Sequence, residues 1–532
     1  MKLKTTAILA ICGVLASAAG AFAIPVSKTP VSADPSALSP DGPKDPNAPW
    51  SQPGTPGARM SAGDTLQVDA RLGHASLSKG ARGETYLFAS VTASDQAAAA
   101  AANASSAAPL NLAIVIDRSG SMKGERIANA MNAAVAAVER MRDGDSVSVV
   151  SFDTSASVVV PPTRVSSGSR SSIESAIRSI RLGGDTCISC GLEEGMQQLA
   201  LTTLGGDRIN RMILLSDGAT NAGIRDMSGI RSMSNRMHGR GVTISTIGVD
   251  VDFDEKIMAA IANEANGKHY FVANASGLPA VFSQEFDDLL ASIAKDAEIE
   301  IDLAPGVEVD EVFDRTFRRE GNKLIVPFGT FSAKQEKTVL VKLRVPTDHD
   351  GSQSVADVKL AFRDLVKKND ASCNGSLVLA VKSDGSEQKD MDPFVAARLE
   401  RSRTATTLTE ANKLFEAGRG DEARAKLASR RTDLAKAKTG ALALATASPS
   451  NPFAPPPPRA AKPLARDFDD QSAAVAQAEA NFAQPASPSA GPVGGATGSG
   501  FGNGNGRFAQ PPSPAGKAQV RSNQERASGF GF

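Results

Sequence analysis

The run Leu112-Ala113-Ile114-Val115-Ile116 is apolar at every position and stops at Asp117. A strand with no polar alternation has to be covered on both faces, the condition of a central strand in a parallel sheet. A second buried strand is read at Val147–Phe152 and a further apolar run at Met212–Leu215, and Val158–Val160, Val242–Val249 and Lys268–Val272 read as further strands. Between them apolar residues recur at helical spacing, as at Ile127, Met131, Val135, Val138 and Met141. Helices are therefore predicted from near Gly124, over Ser171–Ile180 and from Ser189. The alternation predicts an α/β fold over residues 110–296: a doubly wound, mostly parallel sheet with helices on both faces.

The flanks of that region have a different period. Residues 61–95 (LQVDARL, TYLFASV) and 297–385 (EIEIDL, KLIVPF, TVLVKLRV, ADVKLAF, SLVLAV) alternate as strands do. Neither set is large enough alone. Together they offer about six to eight strands, a workable β-sandwich into which the α/β unit is inserted. The predicted last helix, around Phe282–Ala294, runs straight into EIEIDL, so it is placed to transmit movement to the sandwich. Residues 393–440 read as a helical hairpin turning at Gly418-Arg419-Gly420, with Arg419-Gly420-Asp421 a turn feature.

The ends of the 532-residue chain account for much of its 47 Gly and 30 Pro. Residues 1–23 join a basic start (Lys2, Lys4), an apolar run and the small-x-small segment Ala21-Phe22-Ala23, the pattern of a secretory signal peptide. Residues 24–60 hold nine prolines and read as a linker. The Ala/Ser stretch 96–108 reads as a loop or a weak helix, and residues 441–532 as a disordered low-complexity tail.

Three segments carry chemistry: IVIDRSGSMKG from Ile114, GGDTCISCGL from Gly183, and LLSDGATN from Leu214. In this order and spacing they resemble the metal-site motif (Asp-x-Ser-x-Ser), the threonine loop and the later Asp-Gly strand end of a von Willebrand factor type A domain. The threonine loop departs from the usual Gly-Gly-Thr-Asn or Gly-Thr-Asp, with Asp185 before Thr186 and Cys187 after it. The resemblance implies a Rossmann-like sheet and a metal held by Asp117, Ser119, Ser121, Thr186 and Asp217. It also implies one open coordination position, filled by an acidic side chain of a partner.

The residue types suit that role. Mg2+ takes six oxygens and keeps some waters. Alternate side chains of Asp117-Arg118-Ser119-Gly120-Ser121 can point into one pocket, at the strand ends where open α/β sheets bind ligands. Neutral hydroxyls leave the ion electron-poor and attractive to an outside carboxylate. Residue by residue a plainer reading stays open: Asp117 ends a strand, and Ser119 or Ser121 caps the next helix. Asp185 reads as loop surface, and Asp153 as a turn residue before a group that supports the site from behind.

Cys187 and Cys190 can pair as a disulfide in an oxidising compartment. Cys373 is alone and the four histidines are scattered, so no zinc set is formed. No Walker A loop, His-Glu-x-x-His or Gly-x-Ser-x-Gly is present. The 58 basic and 58 acidic side chains argue against a nucleic-acid binder. No internal apolar run is long enough to span a bilayer, so no integral span is expected in the mature chain. The expectation is a non-enzymatic protein-binding module outside the cytoplasm (periplasmic, surface or secreted), serving adhesion, envelope assembly or sensing. Its cofactor is Mg2+, with Mn2+ or Ca2+ as substitutes. The alternatives are a metal-dependent hydrolase and a structural envelope protein with a vestigial metal site.

Overall fold

The structure is a computed structural model that describes residues 57–62, 65–94, 108–202, 207–217, 219–250, 255–272, 274–385, 390–446, 457–483 and 514–531. The expected signal segment 1–23, the expected linker as far as residue 56 and nearly all of the Ala/Ser stretch lie outside the described residues. The first strands are β1 (Gly57–Ala62), β2 (Leu66–Leu72), β3 (Ser76–Ser78) and β4 (Glu84–Ala93). β1 starts inside the stretch expected to be linker, which ends at residue 56 rather than 60. Its two-residue period explains this: Ala58, Met60 and Ala62 are buried while Arg59 and Ser61 face solvent.

The α/β unit follows as β5 (Leu110–Asp117), α1 (Glu125–Arg140), β6 (Ser146–Phe152), β7 (Ala156–Arg164), α2 (Arg170–Arg178) and α3 (Ile188–Ala200). It continues with β8 (Ile209–Ser216), α4 (Met227–His238), β9 (Val242–Val249), α5 (Glu255–Glu264), β10 (Asn266–Val272) and α6 (Leu278–Leu290). The sheet order is β10-β9-β8-β5-β6-β7. All neighbours are parallel except the edge strand β7, which is antiparallel to β6. Every residue of β5, β6, β8 and β9 is buried, as apolar runs covered on both faces require. On one face Ile114, Val149 and Ile213 pack with Val135 and Val138 of α1 and Phe282 and Phe286 of α6. On the other, Val115, Phe152 and Met212 pack with Leu192 of α3 and Ile230 of α4. Helix α3 lies so close to the sheet that a Cβ at Gly191 would come within 2.7 Å of the Phe152 ring.

The remaining strands are β11 (Ser292–Leu303), β12 (Glu308–Phe313), β13 (Arg318–Glu320), β14 (Lys323–Ser332), β15 (Glu336–Arg344), β16 (Gly351–Asp364) and β17 (Asn369–Lys382). They join the first four in two sheets, β1-β2-β4-β15-β12 and β13-β14-β11-β16-β17-β3. Each sheet contains strands from both sides of the α/β unit, so that unit is an insertion in the sandwich. The inner faces share one core, in which Val68, Leu87 and Val341 meet Ile301, Val326, Phe328 and Val358. The described sandwich has eleven strands, more than the six to eight expected. β3 and β13 are only three residues each, too short to show a period. β11 begins at Ser292, so the sandwich resumes directly after α6 and not at residue 297.

Four helices complete the described chain: α7 (Pro393–Glu416), α8 (Gly420–Thr446), α9 (Pro457–Ala483) and α10 (Pro514–Gly531). The turn between the first two places Gly418 at φ 76°. Arg419 and Asp421 of the turn tripeptide pair with Glu422 and Arg424. α8 runs six residues past the predicted end, and α8, α9 and α10 correct the expectation of disorder over 441–446, 457–483 and 514–531; the rest of 441–532 lies outside the described residues. Leu464, Phe468, Val475 and Phe482 form a helical stripe within the Ala-rich composition, and they are buried with Leu408, Leu427 and Leu434. Among the described residues no helix is long and apolar enough to cross a membrane.

Candidate metal centre

The chain leaves β5 towards β6 and β7 on one side and returns at β8 on the other. The gap between the carboxyl ends of β5 and β8 is therefore the topological switch point, where open α/β sheets bind ligands. Asp117 ends β5, and Asp217 follows the last residue of β8.

Backbone bonds stitch the motif loop to the threonine loop. Gly183 N–H donates to the Arg118 carbonyl at 2.7 Å, and Gly120 N–H to the Gly184 carbonyl at 3.1 Å. Asp153 fastens both loops, pairing with Arg118 at 3.1 Å and accepting from the N–H groups of Ser155 (3.1 Å) and Gly184 (3.3 Å). Burial pushes its carboxyl up, but these donors outweigh burial and hold it below the ordinary range. A Cβ at Gly183 would lie 1.7 Å from an Asp153 oxygen, so only glycine fits there. Asp153 thus ties the two loops together, the supporting role that was the second of its two expected readings.

Within this frame the Ser119 and Ser121 hydroxyls are 3.0 Å apart, and the Ser121 hydroxyl donates to Asp217 Oδ1 at 2.7 Å. Asp117 accepts from Ser119 N–H at 2.8 Å and from the Ser216 hydroxyl at 2.5 Å. The capping alternative fails on geometry. Ser119 precedes a single 3-10 turn, Gly120–Met122, without capping it, and Gly124 takes the N-cap position of α1. Thr186 is buried on the adjoining loop. Its N–H donates to Asn221 Oδ1 at 2.7 Å, and its carbonyl accepts from Asn221 N–H at 3.0 Å. Four of the five expected ligands are thus joined by direct hydrogen bonds, and Thr186 lies on the loop that Gly183 and Gly184 tie to the motif.

Adjacent oxygens around an octahedral Mg2+ are about 3.0 Å apart, given metal–oxygen distances of roughly 2.1 Å. The spacing of the hydroxyls and Asp217 fits that requirement, and an all-oxygen donor set fits a hard cation. Among the described residues no group of three or more His, Cys, Asp or Glu side chains forms a metal site. Any metal at this rim has to draw on hydroxyls. Burial raises the Asp117 carboxyl to about 6, with a further upward push from Asp217, against hydrogen bonds from Ser216 and Ser119.

The sequence reading did not single out Arg126. From the first turn of α1 it donates to Asp217 Oδ2 at 2.7 Å and to the Ser121 carbonyl at 2.9 Å, and it pairs with Asp250. Its signal was its place, one turn into the helix that follows the motif. Asp185 is exposed, as expected of loop surface. Cys187 and Cys190 are joined as a disulfide across the first turn of α3, directly after Thr186.

Residues 111–284 match the von Willebrand factor type A domain. The chain is similar to the uncharacterized protein sll0103 of Synechocystis sp., 27% identical over 266 residues, which cover 48% of this chain and 62% of that protein. It is 32% identical over 197 residues to the uncharacterized protein YfbK of Escherichia coli K12, covering 37% of this chain and 34% of that protein. The matched segments thus span less than two thirds of either relative. Among solved structures it shares its fold with a von Willebrand factor type A protein from Catenulispora acidiphila. That likeness has a TM-score of 0.59 at 17% identity, covering 76% of this chain and 92% of that one. The ArnB paralog VWA2 from Sulfolobus acidocaldarius gives a TM-score of 0.51 at 17% identity, covering 77% of this chain and 98% of that one. The chain therefore carries a von Willebrand factor type A domain, set as an insertion into a β-sandwich.

Proposed function

We propose that the protein is a binding module that recognises an acidic protein partner through a divalent cation at the β5–β8 rim. The observation that carries this reading is the convergence of Ser119, Ser121 and Asp217 oxygens within 3.0 Å of one another in sequence along the rim. Asp117, Ser119, Ser121, Thr186 and Asp217 would hold Mg2+, with Mn2+ or Ca2+ as substitutes. When bound, the ion supplies a positive centre for a partner carboxylate. Beside the rim lies a recess of about 580 Å3 lined by Gly120, Ser121, Lys123, Arg126, Asp250 and Asn274 among others. It offers room for a partner side chain, and its lining sets Lys123 and Arg126 against Glu125 and Asp250.

In this reading the protein acts by binding and not by turnover. Hydroxyl ligands on an open rim suit recognition, and His238 and His269 are engaged elsewhere, with Asn266 and Thr246. We place it outside the cytoplasm, on the strength of the N-terminal segment 1–23 and the Cys187–Cys190 disulfide. The test is retention of the full chain on immobilised polyglutamate and polyglutamine peptides. The expected result is retention on polyglutamate in Mg2+, lost on chelation and in Asp217→Ala. Equal retention on polyglutamate with and without chelator would overturn metal-dependent recognition.

A further inference from the structure

A second charged site lies where the α/β unit meets the sandwich. A cavity of about 330 Å3, within the range of small-molecule sites, is bounded by β8, β10 and α6 on one side and by β14 and β15 on the other. Four cationic side chains line it, Arg211, Lys268, Arg315 and Lys337, against two carboxylates, Asp288 and Glu336.

Two of these cations pair with carboxylates, and the other two donate to carbonyl oxygens. Lys268 pairs with Asp288. Arg211, 7% exposed, pairs with Glu285 at 2.8 Å. Glu285 is wholly buried and also accepts from the Ser245 hydroxyl at 2.6 Å and the Tyr270 hydroxyl at 2.7 Å. Arg211 Nε is buried without a hydrogen-bond partner. Across the cavity Lys337 donates to the carbonyls of Phe328 (2.7 Å) and Thr330 (2.8 Å). Carbonyls bind the ammonium protons but do not cancel the charge. Arg315 donates to the Thr338 carbonyl at 3.0 Å and lies over the Phe328 ring. Glu336 accepts from the Ser90 hydroxyl at 2.5 Å.

We propose that this cavity binds a small molecule bearing an oxyanion, a carboxylate or a phosphate, between Arg211 on the α/β side and Arg315 and Lys337 on the sandwich side. The ligand satisfies the idle Arg211 N–H and joins the inserted unit to its host. The electrostatics agree. Burial, then repulsion from Arg315, Arg211 and Lys268, pushes the Lys337 ammonium well below the usual lysine range, with Glu285 opposing. Burial and Arg398 likewise push Arg315 down to about 9, with Asp314 opposing.

The test is calorimetric titration of the full chain, in chelator and at constant ionic strength, with inorganic phosphate in one arm and citrate in the other. Saturable binding is expected in at least one arm, and the responding arm identifies the oxyanion. Lys337→Met and Arg315→Met should each weaken it about tenfold or more, while Lys359→Met, on the exposed side of β16, leaves it unchanged. A measurement that needs no variant is mass-spectrometric acetylation of Lys337, which the binding anion should slow several-fold. No saturable binding in either arm, unchanged affinity in both folded variants, or Lys337 acetylation indifferent to the binding anion would each overturn the proposal. Chelator keeps the β5–β8 rim free of metal, so this outcome is independent of the metal reading.

Discussion

The β5–β8 rim and the cavity beneath the sandwich are both charged sites on one α/β unit, and they are built in opposite ways. The rim gathers buried carboxylates, Asp117 and Asp217, with neutral hydroxyls, and the cation paired with Asp217, Arg126, comes from the next helix. The cavity gathers arginines and lysines around a single wholly buried carboxylate, Glu285. At the rim three short loops supply every candidate ligand. At the cavity no two of Arg211, Arg315 and Lys337 come from the same element. A local motif makes the first site, and long-range packing makes the second.

The sharpest way to break this comparison is to remove the charge that anchors the cavity. Glu285→Ala leaves Arg211 buried without its carboxylate, and loss of one partner of a buried pair costs about 3–5 kcal/mol. Urea denaturation of the full chain should show that loss. A change below about 1 kcal/mol would mean that the pair is solvated and that the cavity wall is not held as described.

The legibility of the two sites follows from their construction. The central strands were readable because burial on both faces forces unbroken apolar runs such as Leu112–Ile116. Asp117, Ser119, Ser121, Thr186 and Asp217 were readable as candidates because three segments in order along the chain resemble the motifs of a von Willebrand factor type A domain. Arg126 was not, because one arginine on an amphipathic helix looks like any solvated charge. β1 was lost in a proline-rich stretch, since six residues with alanine and one methionine inside carry little hydrophobic signal. The stripe Leu464, Phe468, Val475, Phe482 was masked by the Ala-rich residues around it. The cavity had no signal, because its cations lie far apart in sequence and meet only once the insertion packs on its host.

An effect of intermediate size concerns His269, which lines the same cavity. Burial depresses its imidazole to about 4. The unfolded chain titrates near 6.5, so between those values the unfolded state binds more protons than the fold. Stability is then full above about pH 6.5 and falls as pH drops towards 4, by roughly 1–3 kcal/mol. His269→Gln should flatten that part of the profile in denaturation between pH 4 and 7; an unaltered slope would assign it to other groups.

The smallest expected effect sharpens the rim side. Arg126 occupies Asp217 Oδ2, where it competes with an incoming cation. Arg126→Ala should tighten Mn2+ binding several-fold in titrations followed by electron paramagnetic resonance. Weaker binding would instead make Arg126 a residue that positions Asp217 for the metal.

The central claim is that the rim takes one divalent cation on the Asp-x-Ser-x-Ser loop. Calorimetric titration of Mg2+ and of Mn2+ into the full chain, beside Asp117→Ala, tests it most directly. Saturable binding near one ion per chain, lost in Asp117→Ala with the circular dichroism spectrum retained, is the predicted result. No binding by the folded wild-type chain, or binding that survives Asp117→Ala, would contradict it.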